Sequence, residues 1–130
     1  MKITNYLILS SSLWWSVSAL ASDLEGAQSE AAVRGAYVFD IGGCASCHTK
    51  DEHLAGGVEL VTPFGTFYGP NISPDKYFGI GGWTNAQFIR AMREGVSPDG
   101  EHYYPAFPYT SYVNMPKQDL LDLKAYLDAQ

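Results

Sequence analysis

The chain has 130 residues, of which 46% are hydrophobic and 17% are charged, so its size fits one compact domain and excludes a multidomain enzyme. Its 8 Lys and Arg against 14 Asp and Glu give a formal net charge of −6 at pH 7, which argues against a nucleic-acid partner. Only two cysteines are present, too few to stabilise the fold through a network of disulfides.

The first 21 residues have the pattern of a secretory signal peptide. Lys2 supplies a positive start, residues 6–17 form a mostly apolar run, and residues 19–21, Ala-Leu-Ala, match a small-x-small cleavage site. The apolar run is shorter than the roughly 20 residues that a membrane-spanning helix needs, which argues against a permanent anchor. The sequence therefore predicts a signal peptide over 1–21, a flexible lead-in over 22–29, and one exported domain over 30–130 without a membrane span.

The exported domain begins with a predicted helix over residues 30–39. Val33, Ala36 and Tyr37 recur in it at helical spacing. Gly35 lies inside this helix, where glycine costs about 1 kcal/mol relative to alanine. Because a missing side chain lets two backbones approach, Gly35 predicts close contact with another helix.

Directly after this helix, the pentapeptide CASCH over Cys44–His48 has the spacing of c-type haem attachment. Two thiols on one turn can add to the two vinyl groups of a porphyrin, and the adjacent imidazole can bind the iron. A zinc site would need further ligands, and only His53 and His102 could supply them, at spacings unlike known zinc motifs. A thioredoxin-type dithiol expects a βαβ setting, and a simple disulfide would leave His48 unexplained. The sequence therefore predicts one covalently bound haem c on Cys44, Cys47 and His48.

Residues 49–82 are dominated by loops, with at most a short hairpin around Gly65. Long loops in a small domain indicate that something besides side chains fills the interior, and a porphyrin can supply that apolar core. The Nδ1 proton of His48 should go to a backbone carbonyl, which orients the ring so that Nε2 binds iron. Pro63 and Pro70 lie in the loop best placed to supply this carbonyl, and the sequence leaves both open.

Two further helices are predicted in the second half of the chain. Thr84 and Gln87 form a capping box for a helix over about 85–94 that Gly95 ends. Residues 103–112 follow as an aromatic loop. The last helix starts at or just after Pro116, which suits the first helical position, and runs to about residue 128. The expected fold class is all-α, with three main helices and long loops around one haem. The last helix carries one apolar stripe, formed by Leu120, Leu123 and Leu127.

A methionine sulfur is the usual second axial ligand in electron carriers. Met92 falls on the apolar face of the central helix, where a core role is expected. Met115, in the loop before the last helix, is therefore the predicted distal ligand. His102 is the alternative, because a second imidazole would also close the iron site, whereas His53 is expected at the surface.

Beyond the haem motif, the chain resembles the haem domain of class I-type c-type cytochromes, as found in the cytochrome c subunits of bacterial membrane-bound alcohol, gluconate and sorbitol dehydrogenases. This resemblance implies the cytochrome c fold. Such subunits usually carry three haem domains, whereas this chain has one attachment motif, and they often have Met where Phe107 stands. The matching runs cover residues 34–37, 55–57, 62–66, 71–75, 79–83, 93–100, 104–109 and 124–127.

Together these features predict a periplasmic electron carrier and not an enzyme in its own right. It would take electrons from a dehydrogenase and pass them to a respiratory acceptor, with the haem iron cycling between Fe(II) and Fe(III). The acidic surface favours a basic docking patch on a partner. The alternative is a haem enzyme or gas-binding sensor with an open sixth iron position, which Phe107 favours. The sequence leaves the oligomeric state open.

Overall fold

Four α-helices, one two-stranded antiparallel sheet and one 3₁₀ turn form the regular structure of residues 30–130, the part of the chain that the structure, a computed structural model, describes. The predicted signal peptide and lead-in over 1–29 lie outside the described residues. Residues 31–130 make one compact unit. The elements are α1 (30–41), α2 (Cys44–His48), β1 (Glu59–Thr62), β2 (Gly65–Tyr68), α3 (Asn85–Glu94), the 3₁₀ turn (Tyr109–Ser111) and α4 (Lys117–Asp128).

The all-α prediction with three main helices is therefore incomplete. It corresponds to α1, α3 and α4, and the structure adds the five-residue helix α2 and the β1–β2 hairpin. In the hairpin Glu59 pairs with Tyr68 and Thr62 with Gly65, so the hairpin does turn next to the glycine around which it was predicted. Helix α2 is too short for periodicity to reveal it. It begins after Gly43, whose φ of 64° lies in the left-handed region that favours glycine.

Helix α1 extends to residue 41, two residues beyond its predicted end, and it buries a different face from the one its apolar spacing indicated. Val33 and Tyr37 are 71% and 68% exposed, whereas Val38 and Phe39 are 7% and 4% exposed. The buried face includes Gly35, where a Cβ atom would lie 1.9 Å from the carbonyl oxygen of Asp122 in α4. The close helix contact predicted from this glycine is therefore confirmed.

An ion pair reinforces this contact between α1 and α4. Arg34 donates from Nε to Asp122 Oδ2 at 2.7 Å and from Nη2 to Oδ1 at 3.2 Å, and Gln118 donates to the same carboxylate at 2.9 Å. The side chain of Asp122 is only 3% exposed, against 53% for Arg34. The hydrogen bond from Arg34 holds the pKa of Asp122 below its usual value, against the opposing effect of burial.

Replacing Asp122 with Asn is expected to lower the free energy of unfolding at pH 7 by about 1–3 kcal/mol, since one partner of a partly buried pair loses its charge. A lowered folded-state pKa means that the carboxylate stabilises fully above its unfolded pKa of about 3.9, and that this contribution disappears as the pH falls through the folded value. Urea unfolding at neutral and acidic pH should show that the difference in free energy of unfolding between the wild type and the variant becomes smaller as the pH falls. The exposed Asp51→Asn change is the control, and a difference that persisted at low pH would contradict this account.

Helices α3 and α4 largely follow their sequence signals. Thr84 accepts a hydrogen bond from the Gln87 backbone and the Gln87 side chain accepts from the Thr84 backbone, so the predicted capping box is confirmed, and Gly95 ends the helix at φ 66°. Pro116 is the N-cap residue of α4 and not its first helical residue, because its ψ of 142° is extended. Met92 is buried as predicted.

The core is formed where these helices meet, beside the α2 turn. The predicted stripe on α4 is fully buried in this core. Separately, no helix among the described residues is long and apolar enough to cross a bilayer. The buried cluster contains Val38, Phe39, Leu54, Ile80, Phe88, Met92, Leu120, Leu123 and Leu127, with Cys44, Phe107, Tyr112 and Met115 among the partly buried residues packed against it.

Candidate haem site

The two cysteines lie on one turn of α2, partly buried and without a disulfide. Residues three apart on a helix face the same side, so both thiols are presented in one direction. Ser46 lies between them and donates from Oγ to the Gly43 carbonyl at 2.6 Å, which stabilises the start of the helix. The turn can therefore offer two thiols to a single flat group.

His48 is the last residue of α2 and has a defined ring orientation. Its Nδ1 atom lies 2.7 Å from the Pro70 carbonyl oxygen, and because a carbonyl can only accept, Nδ1 carries the proton. Of the two prolines that the sequence left open, the structure selects Pro70. This hydrogen bond leaves Nε2 available as a metal ligand. Burial lowers the pKa of His48, with the Pro70 hydrogen bond opposing it, so the ring is held in the neutral form that binds metals.

The loops that follow α2 pack their backbone directly against the α2 turn. A Cβ atom on Gly69 would lie 1.8 Å from the Cys47 carbonyl oxygen, so only glycine permits this approach. Gly56 donates to the His48 carbonyl at 2.8 Å and Gly57 donates to the Gly69 carbonyl at 2.8 Å. These contacts connect the loop before the hairpin to the loop after it. The sequence placed Gly56, Gly57 and Gly69 only in loops, and these contacts explain why glycine is required at these positions around the haem motif.

The residues present fit a haem c. Cys44 and Cys47 offer two thiols on one face, and His48 offers an oriented imidazole nitrogen on the same turn. Among the described residues, no group of three or more His, Cys, Asp or Glu side chains is placed to hold a metal ion, so the zinc alternative finds no ligand set there.

Met115 lies in the loop that leads into α4. Its backbone nitrogen donates to the Tyr112 carbonyl at 3.0 Å, and its own carbonyl accepts a hydrogen bond from Arg93 Nη2. The side chain is partly buried against the core and lines a groove together with Val38 and Ile41 of α1. Backbone contacts from two directions thus hold the loop in place.

The remaining histidines lie at the surface. His102 is exposed and forms an isolated backbone bridge with Val96, so its turn is ordered by the main chain. His53 is exposed as predicted, with its Nε2 atom 3.3 Å from the side-chain oxygen of Gln130. Neither ring is buried as a preformed ligand would be.

Phe107 lies at the centre of an aromatic cluster that the sequence showed only as a loop composition. Its ring centroid lies 5.7 Å from Tyr103, 6.4 Å from Tyr109 and 6.0 Å from Tyr112. Burial raises the pKa of Tyr112. Phe107 and Tyr112 pack against the same buried core as Cys44, so the cluster shares that core with the α2 turn.

Comparison with known proteins identifies the domain. The cytochrome c family model matches residues 32–130. A diheme cytochrome c-type protein of Cereibacter sphaeroides is 50% identical over 124 residues, which cover 88% of this chain and 42% of that protein.

Two dehydrogenase subunits are also similar. A nicotinate dehydrogenase subunit of Pseudomonas putida is 54% identical over 99 residues, covering 75% of this chain and 8% of that protein. The cytochrome c subunit of a quinone alcohol dehydrogenase from Gluconacetobacter polyoxogenes is 46% identical over 95 residues, covering 72% of this chain and 20% of that protein. The chain thus spans less than half the length of each of these three relatives. The predicted resemblance to cytochrome c subunits of alcohol and gluconate dehydrogenases is confirmed.

Proposed function

Because this chain belongs to the cytochrome c family, we propose that it is a periplasmic electron carrier that takes electrons from a dehydrogenase and delivers them to a respiratory acceptor. The observation that carries the proposal is the CASCH turn, with both thiols on one face and the His48 ring hydrogen-bonded to Pro70. A bound haem c supplies a one-electron change between Fe(II) and Fe(III). The chain's own residues would hold and orient the group, and the alcohol and gluconate dehydrogenase relatives are cytochrome c subunits, which supports a carrier and not a catalytic subunit.

The proposed compartment follows from the sequence before residue 30. A signal peptide over 1–21 would export the chain, and attachment of haem c after export agrees with such a signal. The haem count is proposed from the attachment motif. The 130 residues contain one such motif, the CASCH run, which supports one haem c in this chain.

The proposed partners come from the relatives. The alcohol and gluconate dehydrogenase relatives are cytochrome subunits of their enzymes, which supports a dehydrogenase as electron donor. The diheme relative is more than twice as long as the part that this chain matches, and its name gives it two haems. This arrangement supports a second haem protein as the other redox partner of this chain.

His48 is the proposed proximal ligand of the iron, and Met115 is the proposed distal ligand, with His102 as the alternative. The ordering of the loop around Met115 supports this choice, because Arg93 and Tyr112 hold its backbone from two sides. Arg93 Nη2 bonds the loop while its Nε is buried without a partner among the described residues.

A second candidate function is a haem enzyme or gas-binding sensor with an open sixth position. The aromatic cluster favours it, since Phe107 and its three tyrosine neighbours supply neither sulfur nor imidazole. The side chain of Met115 also lies beside Val38 and Ile41 in the groove. Spectroscopy of the haem-loaded protein distinguishes the two candidates.

Replacing Met115 with Ala is expected to abolish the sulfur-to-iron charge-transfer band of the ferric protein and to convert a low-spin haem to high spin. Absorption and electron paramagnetic resonance spectra of wild type and variant provide the measurement. Met92→Leu is the control, because Met92 is a buried core residue whose loss should leave the band intact. A wild-type protein that is already high spin and binds carbon monoxide readily would contradict the carrier proposal and support the open site.

A further inference from the structure

The outer face of α1 carries a row of exposed apolar side chains. Val33, Tyr37 and Ile41 are 71%, 68% and 65% exposed, and their spacing of four residues places them in one line along the helix. Helix α1 uses its opposite side, at Gly35 and Phe39, to contact the core. Within residues 30–130, the packing of α1 therefore does not use this row, which we name the α1 stripe (Val33, Tyr37 and Ile41).

A groove continues the apolar surface of the α1 stripe toward α4. It is open to solvent, has a volume of about 370 Å³, and is lined by Tyr37 and Ile41 together with Val38. Met115 and Asp119 line it from the α4 side. Exposed apolar residues scattered singly are normal, but a contiguous stripe and groove are typical of an interaction surface.

This surface lies next to the haem-attachment turn. Ile41 is the last residue of α1 and precedes Cys44 by three positions, and the Gly42 backbone between them remains bonded to the Val38 carbonyl at 2.9 Å. A protein docked on the stripe is therefore beside the residues that hold the haem. Electron transfer requires such proximity.

The charges at the edge of the surface are acidic. Asp40 is exposed beside Ile41, and Asp119 lines the groove. Arg34 also lines the groove, but its guanidinium is bonded to the Asp122 carboxylate, which offsets its charge. With a formal net charge of −6 on the whole chain, a second copy would meet like charges, whereas a basic partner would be attracted.

We propose that the α1 stripe and its groove are the docking surface for a redox partner that carries its own c-type haem and a basic rim. This inference rests on the proposed carrier function and adds to it the location of the contact. The apolar stripe forms the centre of the interface, where burial contributes most, and Asp40 and Asp119 face the basic rim.

The test measures electron transfer from the reduced haem-loaded protein to a ferric mitochondrial cytochrome c, a basic monohaem protein that serves as the probe. Stopped-flow absorbance gives the second-order rate constant, and calorimetry gives the dissociation constant. The triple variant Val33→Ser, Tyr37→Ser, Ile41→Ser is expected to lower the rate constant by about tenfold or more and to weaken binding in proportion. Because all three positions are exposed, its spectrum, midpoint potential and melting temperature should match those of the wild type.

A matched control removes exposed aromatic rings elsewhere. Tyr77 and Phe78 are 91% and 82% exposed on the turn that Asp75 stabilises, so the double variant Tyr77→Ser, Phe78→Ser also removes large exposed apolar side chains. It is expected to change the rate constant by less than about twofold. Equal rate constants for the triple variant and the wild type, or an equal or larger loss in the control, would overturn the proposed location.

Other occupants of the surface give distinct results. A wild-type dimer in sedimentation that the triple variant converts to a monomer would assign the stripe to a second copy and overturn the proposal. A wild type that binds the probe through the stripe but transfers no electron would contradict the carrier function while leaving the docking surface intact.

Discussion

The double replacement Cys44→Ser, Cys47→Ser is expected to yield a protein with no covalently attached haem. Both thiols lie on the short helix α2, and neither is used in a disulfide. Because the sequence contains only these two cysteines, no other thiol in it can substitute for them. Haem staining after denaturing electrophoresis measures the covalent link directly. Each single replacement should leave one thioether, and the absorption band of its pyridine adduct should shift because one vinyl group stays unsaturated.

Ser46→Ala provides the matched control for the cysteine variants, since Ser46 lies between them on the same turn. Its Oγ donates to the Gly43 carbonyl at 2.6 Å and lies 3.8 Å from Cys47 Sγ, and neither contact is a bond to haem, so its loss should affect the stability of the turn and not the covalent link. Haem that remained attached through denaturation in the double variant would show that the thiols of α2 are not the attachment points.

The Gly35→Ala variant is expected to be destabilised by about 3 kcal/mol or more, which corresponds to a fall of roughly 10 °C or more in the melting temperature. Two effects oppose each other at this position. Helix propensity alone would favour alanine by about 1 kcal/mol. The added Cβ atom, however, would lie 1.9 Å from the carbonyl oxygen of Asp122 and 2.8 Å from Cβ of Tyr126. Because the first of these is a backbone atom, the helices α1 and α4 must separate to accommodate it.

Thermal unfolding of the haem-loaded protein, followed by circular dichroism, measures this effect. Gly82→Ala is the control, since its nearest contact would be the Lys76 carbonyl oxygen at 3.2 Å and its φ is not in the left-handed region. The control is expected to change stability by less than about 1 kcal/mol. A Gly35→Ala protein as stable as the wild type would show that the crossing of α1 and α4 can relax freely.

Local signals determined a large part of this fold. The capping box of Thr84 and Gln87 defines the start of α3 through hydrogen bonds between residues three apart, so the predicted bounds agree with the structure. The apolar stripe of α4 lies on the only strongly apolar face of that helix, and Leu120, Leu123 and Leu127 are accordingly buried. Where the interaction is contained within one helix, the residue pattern is sufficient.

Predictions that needed a partner from elsewhere in the chain were less complete. Helix α1 has two apolar rows, and periodicity identifies a helix without saying which row packs. The structure buries Val38 and Phe39 because Gly35, on the same face of the helix, permits close contact with α4, and it leaves Val33 and Tyr37 exposed. The exposed row is the basis of the proposed docking surface, which the sequence did not reveal.

The sequence by itself predicted the chemistry of this protein: the CASCH run and its cysteine spacing are typical of a haem c attachment turn, because those residues act within one turn of backbone. Only the tertiary structure decided that the Pro70 carbonyl, 22 residues away, accepts a hydrogen bond from His48 Nδ1, that the Gly69 backbone packs against the turn, and that three tyrosine rings lie around Phe107. These choices depend on how the hairpin and the aromatic loop fold back onto α2 and the core. Such contacts join residues distant in sequence, and local patterns do not encode them individually.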